Sequence, residues 1–231
     1  MRNTLLLSDI HLGDPDFIYA DELDLLLTTV QWAAVFIVGD FLDTWESTLD
    51  EILDKFRGLI GVINEVSRKT PVIIIKGNHD PDEHILQNIF PFSTVHADEA
   101  NYRIGGYSCV LCHGDKVDPA GWYLKFLFDF HKWLLKTFGK ESWIYRAASW
   151  IRERFYNIPK KPWAVQDKNA VNRWGNLPGI NAIIVGHTHA AKMLQTTTIT
   201  YLNLGMLLFP LPTYAIHDGA TDKFKLLRLM K

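Results

Sequence analysis

Five short groups of Asp, Asn and His residues recur along the chain, and each group directly follows an apolar run. The groups are Asp9 with His11, Asp40 with Asp43, Asn78 with His79 and Asp80, His113 with Asp115, and His187 with His189. Carboxylate, amide and imidazole groups are ligands that borderline and hard divalent cations prefer in proteins. These donors are more than one ion needs, and their number suits two ions that share a bridging carboxylate. Two such ions can bind both the attacking and the leaving oxygen of a phosphoryl transfer.

Each group taken alone has an ordinary structural explanation. An Asp at a strand end commonly caps a turn or a helix, and a lone pair of histidines commonly lies at the surface or in the core. The pairs Asp9 with His11 and His187 with His189 are each two positions apart, so in extended chain both side chains point the same way. Five such groups together favour one common metal centre over five unrelated capping roles.

The apolar runs before these groups predict buried strands, because short continuous apolar runs suit strands that are covered on both faces. They span Leu5–Leu7, Val35–Val38, Val72–Ile75, Val110–Leu111 and Ile183–Val185. Amphipathic stretches at Ile18–Gln31 and Leu49–Arg68 separate the first three runs and predict helices, which implies βαβ units in a mostly parallel sheet. Ligands collect beyond the carboxyl ends of the strands in such a sheet, so the five groups should converge there.

The chain after His189 has a different pattern, which predicts a second sheet packed against the first. Strand-like segments follow one another there, at Thr196–Leu204, Thr213–His217 and Lys223–Leu229. The sequence thus predicts an α/β fold, organised as a single domain over residues 1–231.

The order of the motifs resembles that of the calcineurin-like metallophosphoesterases. That family carries D-x-H, G-D-x-x-D, G-N-H-D/E, H-x-D-type and G-H-x-H motifs, and all five stand here in the same order across residues 9–189. The resemblance implies a four-layer α/β/β/α sandwich and a hydrolase that uses two divalent ions. Manganese is the first expectation for these ions, with Fe, Zn or Co as alternatives, since the donors do not choose among them.

The resemblance also implies a role for each donor. One ion would be held by Asp9, His11, Asp40 and His189, and the other by Asp40, Asn78, His113 and His187, with Asp40 as the bridge. His79 would be the catalytic histidine, a non-ligand that acts as a general acid or stabilises the transition state. Asp43 and Asp80 would orient His79 or the ligand histidines through hydrogen bonds.

Within this superfamily, the loop Gly39–Trp45 is similar to that of the UDP-2,3-diacylglucosamine hydrolases, the pyrophosphatases of lipid A synthesis. Both have Gly-Asp, two apolar residues, an acid and then a Trp, and both place a helical, basic lid between the H-G-D and G-H-T-H motifs. The resemblance implies cleavage of a diphosphate in a lipid-linked nucleotide, giving UMP and a lipid phosphate. Two departures concern His79, where those hydrolases usually carry Arg, and Lys116–Pro119, where they carry a Cys-Thr-Asp-Asp-type stretch.

Residues 119–175 are the predicted helical lid insertion. They hold eleven basic and four acidic residues and six of the eight tryptophans, whereas the rest of the chain is acidic. An apolar helix with a lysine strip can lie at a bilayer surface or cover acyl chains, although aromatic stripes also pack as helical hairpins on a protein body. The candidate substrate-binding residues are Lys116, Trp122, Arg154, Lys160, Lys161 and Arg173.

Composition fits an ordinary globular protein of 231 residues, with 48% hydrophobic and 22% charged residues and a formal net charge of −2. No apolar run is long enough to span a bilayer, and no signal peptide precedes the first strand, so we expect a cytoplasmic protein with peripheral contact at the inner face of the membrane. The two cysteines, Cys109 and Cys112, lie on a predicted strand at positions that face opposite sides, and both are predicted to be buried.

Two other classes of function use the same fold. A metal-dependent nuclease or nucleotide phosphodiesterase would need the same ions, but the acidic body offers no broad track for a nucleic acid, and no such partner is expected. A non-catalytic scaffold, like the retromer subunit that resembles this family, tends to lose ligands or the catalytic histidine, and here every one is present. No protein partner is evident from the sequence. A protein serine/threonine phosphatase would carry G-D-x-x-D-R-G and G-N-H-E, which this chain lacks.

Overall fold

The computed structural model describes residues 2–118 and 163–230, together with residues 130, 133, 134, 137, 138, 142–144, 146 and 147. The strands are β1 (Thr4–Leu7), β2 (Ala34–Val38), β3 (Val72–Ile75), β4 (Thr94–His96), β5 (Glu99–Ile104), β6 (Tyr107–Cys112), β7 (Ala182–Val185), β8 (Lys192–Gln195), β9 (Thr200–Asn203), β10 (Thr213–Asp218) and β11 (Lys223–Arg228). The helices are α1 (Ala20–Thr29), α2 (Leu49–Lys55), α3 (Arg57–Ser67), α4 (Glu83–Ile89) and α5 (Trp163–Trp174), with a 3₁₀ turn at Asp115–Val117.

The strands form two sheets. The first has the order β11-β10-β1-β2-β3-β4, in which β1 to β4 are parallel and β10 and β11 form an antiparallel hairpin beside β1. The second has the order β5-β6-β7-β9-β8, with β6, β7 and β9 parallel. Every residue of β1, β3, β7 and β9 is buried, as expected for strands covered on both faces.

Three apolar layers hold the sheets and helices together. Leu5 and Leu7 face the layer between the first sheet and helices α1 to α3, whereas Leu6 between them faces the layer between the two sheets. On the outer face of the second sheet, Ile183 packs with Ala170 and Trp174 of α5. The alternation of neighbouring strand residues between layers therefore produces the predicted α/β/β/α sandwich.

The membership of the second sheet differs from the prediction. Only Thr200–Asn203 of the three C-terminal segments belongs to it, and Thr213–Asp218 and Lys223–Arg228 extend the first sheet instead. In this position β10 satisfies the backbone groups along the edge of β1, which would otherwise be unpaired. The alternating pattern of these strands predicts their type but not the edge with which they pair.

The predicted helix over Leu49–Arg68 is two helices that meet at Phe56, whose φ of −107° and ψ of 21° interrupt the first. Helix α2 begins at a capping box formed by Thr48 and Glu51, which fixes its start. The predicted helix Ala164–Trp174 is confirmed as α5. The other helices predicted within 119–175 lie largely outside the described residues.

Both cysteines are buried and unpaired, as predicted. Cys109 packs in the layer between the sheets and Cys112 in the layer under α5, so they lie on opposite faces of β6. Among the helices that the structure describes, none has the length and apolarity to cross a membrane.

Candidate metal centre

The five predicted groups lie in the loops that follow β1, β2, β3, β6 and β7, and strained backbone marks three of these loops. In the described part of the chain, six residues other than glycine have a φ in the left-handed region, and five of them are predicted donors. These are Asp9 (φ 50°), His11 (52°), Asp40 (50°), His187 (72°) and His189 (58°). Such conformations cost free energy and persist at functional sites because the surrounding structure enforces them.

Two glycines let these loops approach one another closely. A Cβ on Gly39, whose φ is 82°, would lie 2.2 Å from Nδ1 of His113. A Cβ on Gly77 would lie 2.2 Å from Oδ1 of Asp40. The loops after β2, β3 and β6 can therefore meet only because glycine occupies both positions.

The first group of donors joins the loops after β1 and β7. Asp9, His11 and His189 present ligand atoms that all lie within 4.8 Å of one another. Nε2 of His189 is 3.2 Å from Oδ1 of Asp9 and 3.2 Å from Nε2 of His11. Asp9 and His11 are completely or almost completely buried.

The second group joins the loops after β2, β3, β6 and β7. Asp40, His113 and His187 again present atoms within 4.8 Å of one another. Nε2 of His113 lies 3.0 Å from Oδ2 of Asp40, 3.3 Å from Nδ1 of His187 and 3.0 Å from Oδ1 of Asn78. Asp40 also belongs to a third group, with His11 and His79, so this carboxylate stands between the other two groups.

These spacings fit divalent cations. Ligand atoms at about 2.0–2.2 Å from an ion, as for Zn²⁺, lie about 3.0–3.5 Å from each other. Two pairs of ring nitrogens lie at such distances: those of His11 and His189 are 3.2 Å apart, and those of His113 and His187 are 3.3 Å apart. Two ring nitrogens of this kind repel unless a proton or a cation lies between them, so the donor set is suited to two ions with Asp40 shared.

The pKa shifts of the centre point the same way. Burial alone would raise the pKa of Asp40, but the charges of His113 and His79 outweigh it and hold this pKa well below its usual range. Burial alone would lower the pKa of His113, but Asp40 and Asp9 overcome it and raise the pKa to about 10. The low pKa of Asp40 and the high pKa of His113 thus reflect the attraction between this carboxylate and this imidazole, and a cation bound here would take the place of the imidazole proton.

Asp43 holds two histidines at once. Its Oδ2 lies 2.9 Å from Nδ1 of His11, and its Oδ1 lies 3.0 Å from Nδ1 of His79. Oδ1 also accepts hydrogen bonds from the backbone amides of Trp45 and Glu46 at 3.0 Å, which fixes the carboxylate. With Nδ1 engaged, His11 presents Nε2 to the donor groups.

His79 lies at the open side of the centre. Its side chain is 18% exposed, and its Nε2 is 3.9 Å from Oδ2 of Asp40. The ring of Trp45 stacks on one of its faces, and the backbone carbonyl of His79 accepts a hydrogen bond of 2.6 Å from the hydroxyl of Thr44. The imidazole is therefore held on several sides while Nε2 faces the donor atoms.

Asp80 makes its hydrogen bonds to the backbone rather than to a histidine. Its two oxygens accept from the amides of Leu42 and Gly77, each at 2.8 Å. Burial, together with the charge of Asp40, raises the pKa of Asp80. Asp80 thus joins the loops after β2 and β3, a role that the motif alone does not reveal because the local turn sets the direction of the side chain.

The predicted substrate-binding residues divide into two sets. Lys116 forms an ion pair with Asp98, and Nη2 of Arg173 lies 3.4 Å from Oε2 of Glu99. These four residues line one cavity, and His113 of the second donor group is among the other residues that line it. Trp122, Arg154, Lys160 and Lys161 lie outside the described residues.

Sequence reasoning missed Asp118 and Asn203. Oδ2 of Asp118 lies 3.1 Å from Nε2 of His187, and Nδ2 of Asn203 donates to the carbonyl of Gly186 at 3.2 Å and to Oγ1 of Thr188 at 2.8 Å. Both residues support the loop after β7. Asp118 follows the H-G-D motif by three residues, and an acid so close to a metal motif was the available signal.

A sandwich of this kind, with Asp, Asn and His donors gathered at the carboxyl ends of its strands, is characteristic of metal-dependent phosphoesterases. A model of the calcineurin-like phosphoesterase family matches residues 2–191. The chain belongs to this family, which confirms the resemblance of its motifs. A search of curated protein sequences found no match.

Solved structures agree on the fold. YfcE, a phosphoesterase from E. coli, aligns with a TM-score of 0.53 at 17% identity and covers 99% of this chain and 100% of its own. A novel archaeal phosphodiesterase aligns at 0.52 and 14% identity, covering 98% and 99%. Vps29 from Chaetomium thermophilum aligns at 0.50 and 9% identity, covering 99% and 96%. At these identities the likeness shows the fold alone.

Proposed function

We propose that the chain is a hydrolase that uses two divalent ions to cleave a diphosphate in a lipid-linked nucleotide of the UDP-2,3-diacylglucosamine type. The observation that carries the hydrolase proposal is the position of Asp40, which belongs to two donor groups joined through one carboxylate. Bound divalent ions generate a nucleophile from water and neutralise charge on a transferred phosphoryl group.

The side chains around the donors have distinct roles in this proposal. His79 directs Nε2 toward the centre, where it can donate a proton to the leaving oxygen or stabilise the charge that develops there. Asp43 keeps both His11 and His79 in their orientations through its two oxygens. Because His79, His187 and His189 are partly exposed whereas Asp40 and His113 are buried, a phosphate would reach the centre from the side of these three histidines.

Two observations support a lipid-linked nucleotide. Trp45, which belongs to the motif shared with the UDP-2,3-diacylglucosamine hydrolases, lies against His79. Within the insertion, Phe130, Trp133 and Phe138 are about half exposed, and the ring of Trp133 lies near both phenylalanine rings. Trp143 is 78% exposed. Exposed aromatic rings in a basic segment suit acyl chains or the interface of an anionic membrane, which supports peripheral contact at the inner face of a membrane.

Lys116 and Arg173 are candidates for binding the diphosphate. Each is about half exposed and paired with a carboxylate that is itself about half exposed. Such exposed ion pairs contribute only about 0–1 kcal/mol, so a doubly charged diphosphate can displace Asp98 or Glu99. Arg173 also lies over the ring of Trp174, which limits the directions its guanidinium can take.

The test is hydrolysis of UDP-2,3-diacylglucosamine by the full-length protein loaded with Mn²⁺, followed by phosphorus NMR. We expect stoichiometric UMP from the wild type and its loss in His79→Ala. His84→Ala is the matched control, because this exposed histidine of α4 lies outside the centre and its removal should leave the rate unchanged.

A second substrate separates the two parts of the proposal. Turnover of bis(p-nitrophenyl) phosphate without turnover of the lipid would contradict the lipid substrate and favour a nucleotide phosphodiesterase. Failure with both substrates, in protein shown to hold Mn²⁺, would contradict the enzyme and favour a scaffold.

A further inference from the structure

His187 meets the centre through a different nitrogen from the other ligand histidines. Its Nδ1 lies 3.3 Å from Nε2 of His113, whereas His11, His113 and His189 each present Nε2 to the donor groups. The other nitrogen of His187, Nε2, lies 3.1 Å from Oδ2 of Asp118. The imidazole therefore bridges a donor group on one side and a carboxylate on the other.

We propose that Asp118 is a positioning residue for the second donor group, which it completes by fixing the ring of His187. A carboxylate that accepts from Nε2–H leaves the lone pair of Nδ1 facing Asp40 and His113. Without the negative charge of this carboxylate, the preference for a proton on Nε2 weakens, so the ring can flip or carry its proton on Nδ1, and either change removes a ligand atom from the group. This inference rests on the two-ion centre proposed above.

Asp118 is itself held firmly. Its side chain is 10% exposed, and its backbone amide donates to the carbonyl of Asp115 at the end of the 3₁₀ turn. The carbonyl of Val117 accepts a hydrogen bond of 2.9 Å from Nδ2 of Asn169 on α5, which anchors the same turn from the other side. The carboxylate thus stands on a fixed backbone, as positioning a metal ligand requires.

Asp118 lies in a stretch where this chain departs from the motif of the UDP-2,3-diacylglucosamine hydrolases. This chain carries Lys116–Pro119 after H-G-D, and within this stretch Asp118 is the acid that reaches His187. Its contribution concerns the group of Asp40, His113 and His187, because the histidine that it contacts, His187, is a member of that group. Loss of Asp118 should therefore weaken one ion and spare the other.

The experiment measures Mn²⁺ bound per chain by equilibrium dialysis, for the wild type, Asp118→Asn and Asp98→Asn. Removing the outer partner of a ligand histidine weakens metal affinity about 10- to 100-fold. We expect the wild type and Asp98→Asn each to bind two ions tightly. In Asp118→Asn we expect one ion to bind tightly and the affinity for the other to be lower by that factor. Asp98 is a matched control because it pairs with Lys116 and not with a histidine. Asp118→Glu, which restores a carboxylate, should recover part of the loss.

Circular dichroism of each variant separates positioning from folding. The role of Asp118 would be overturned if Asp118→Asn bound both ions with unchanged affinity. It would also be overturned if the affinities for both ions fell equally and the melting temperature of the variant were lowered. A wild type that binds no Mn²⁺ would overturn the two-ion centre and this inference together. If the wild type and Asp118→Asn both bind two ions tightly, only this inference is overturned.

Discussion

The indole of Trp45 and the imidazole of His79 lie face to face, with ring centroids 3.6 Å apart and planes inclined by 30°. The same imidazole also makes a T-shaped contact with the ring of His11, with centroids 4.6 Å apart and planes at 88°. Together with the hydrogen bond from Nδ1 to Asp43, these contacts define the direction in which Nε2 of His79 points. Trp45 is itself 4% exposed, so its own position is fixed by packing.

Replacing Trp45 should therefore slow the reaction more than it weakens substrate binding. We expect Trp45→Ala to lower kcat by about 10- to 100-fold, because misplacing a reacting group by about 1 Å costs up to that much. Trp45→Phe keeps a ring against His79 and should recover most of the rate. Steady-state kinetics with bis(p-nitrophenyl) phosphate measures both constants. A rise in KM with kcat unchanged would contradict the positioning role.

Asp40→Asn tests whether one carboxylate serves both ions. The substitution keeps the size of the side chain and an acceptor for the amide of His79, but it removes the negative charge that lies between the second donor group and His11 of the first. We expect both ions to be lost and activity to fall by at least about 100-fold. Replacing a residue that only supports a metal ligand already lowers metal affinity or activity about 10- to 100-fold.

Elemental analysis of the purified variant measures the loss of metal. His189→Ala, which removes a member of the first group only, should retain one ion. Asp54→Asn, an exposed Asp on α2, is the control for the substitution itself and should retain two. Retention of two ions in folded Asp40→Asn would refute the bridging role.

Removal of metal should destabilise the protein. Mn²⁺ at about 100 times its Kd stabilises the folded state by about 2.7 kcal/mol, which for a chain of this size corresponds to a rise in Tm of about 5–11 °C. Calorimetry with Mn²⁺ and with excess EDTA measures the difference. Asp40→Asn should show little change between these two conditions, and an equal shift in that variant would mean that the ion binds elsewhere.

The two cysteines should be unreactive in the folded protein. Burial raises the pKa of the Cys109 thiol to about 12, so at pH 8 only about 10⁻⁴ of it is thiolate, the form that reacts. Reactivity therefore rises only as the pH approaches 12, or when unfolding restores the ordinary pKa. Ellman's reagent at pH 8 should detect no thiol in native protein and two per chain in guanidinium chloride. Rapid labelling of native protein would contradict the buried position of β6.

The sequence alone determined which residue types could bind metal and where they stand in the chain. Each donor group follows a buried apolar strand, and the carboxyl ends of parallel strands meet at one edge of a sheet, so convergence of Asp9, Asp40 and Asn78 after β1, β2 and β3 follows from local pattern and general topology. His113 follows β6 of the other sheet, so only the packing of the two sheets brings it to the same place. The same reasoning predicted an α/β fold with a second sheet packed against the first, whereas the four-layer sandwich was implied by the resemblance of the motifs to a known family.

The tertiary structure decided the strand pairing and the side-chain contacts that local sequence patterns do not specify. The pairing of β10 with β1 depends on which edge was left open by distant strands, and the direction of the Asp80 carboxylate depends on the turn that carries it. The contact of Asp118 with His187 joins residues 69 positions apart, so no motif of either segment encodes it. Residue identity fixes which atoms can act as donors, but only packing brings a particular nitrogen and a particular oxygen within hydrogen-bonding distance.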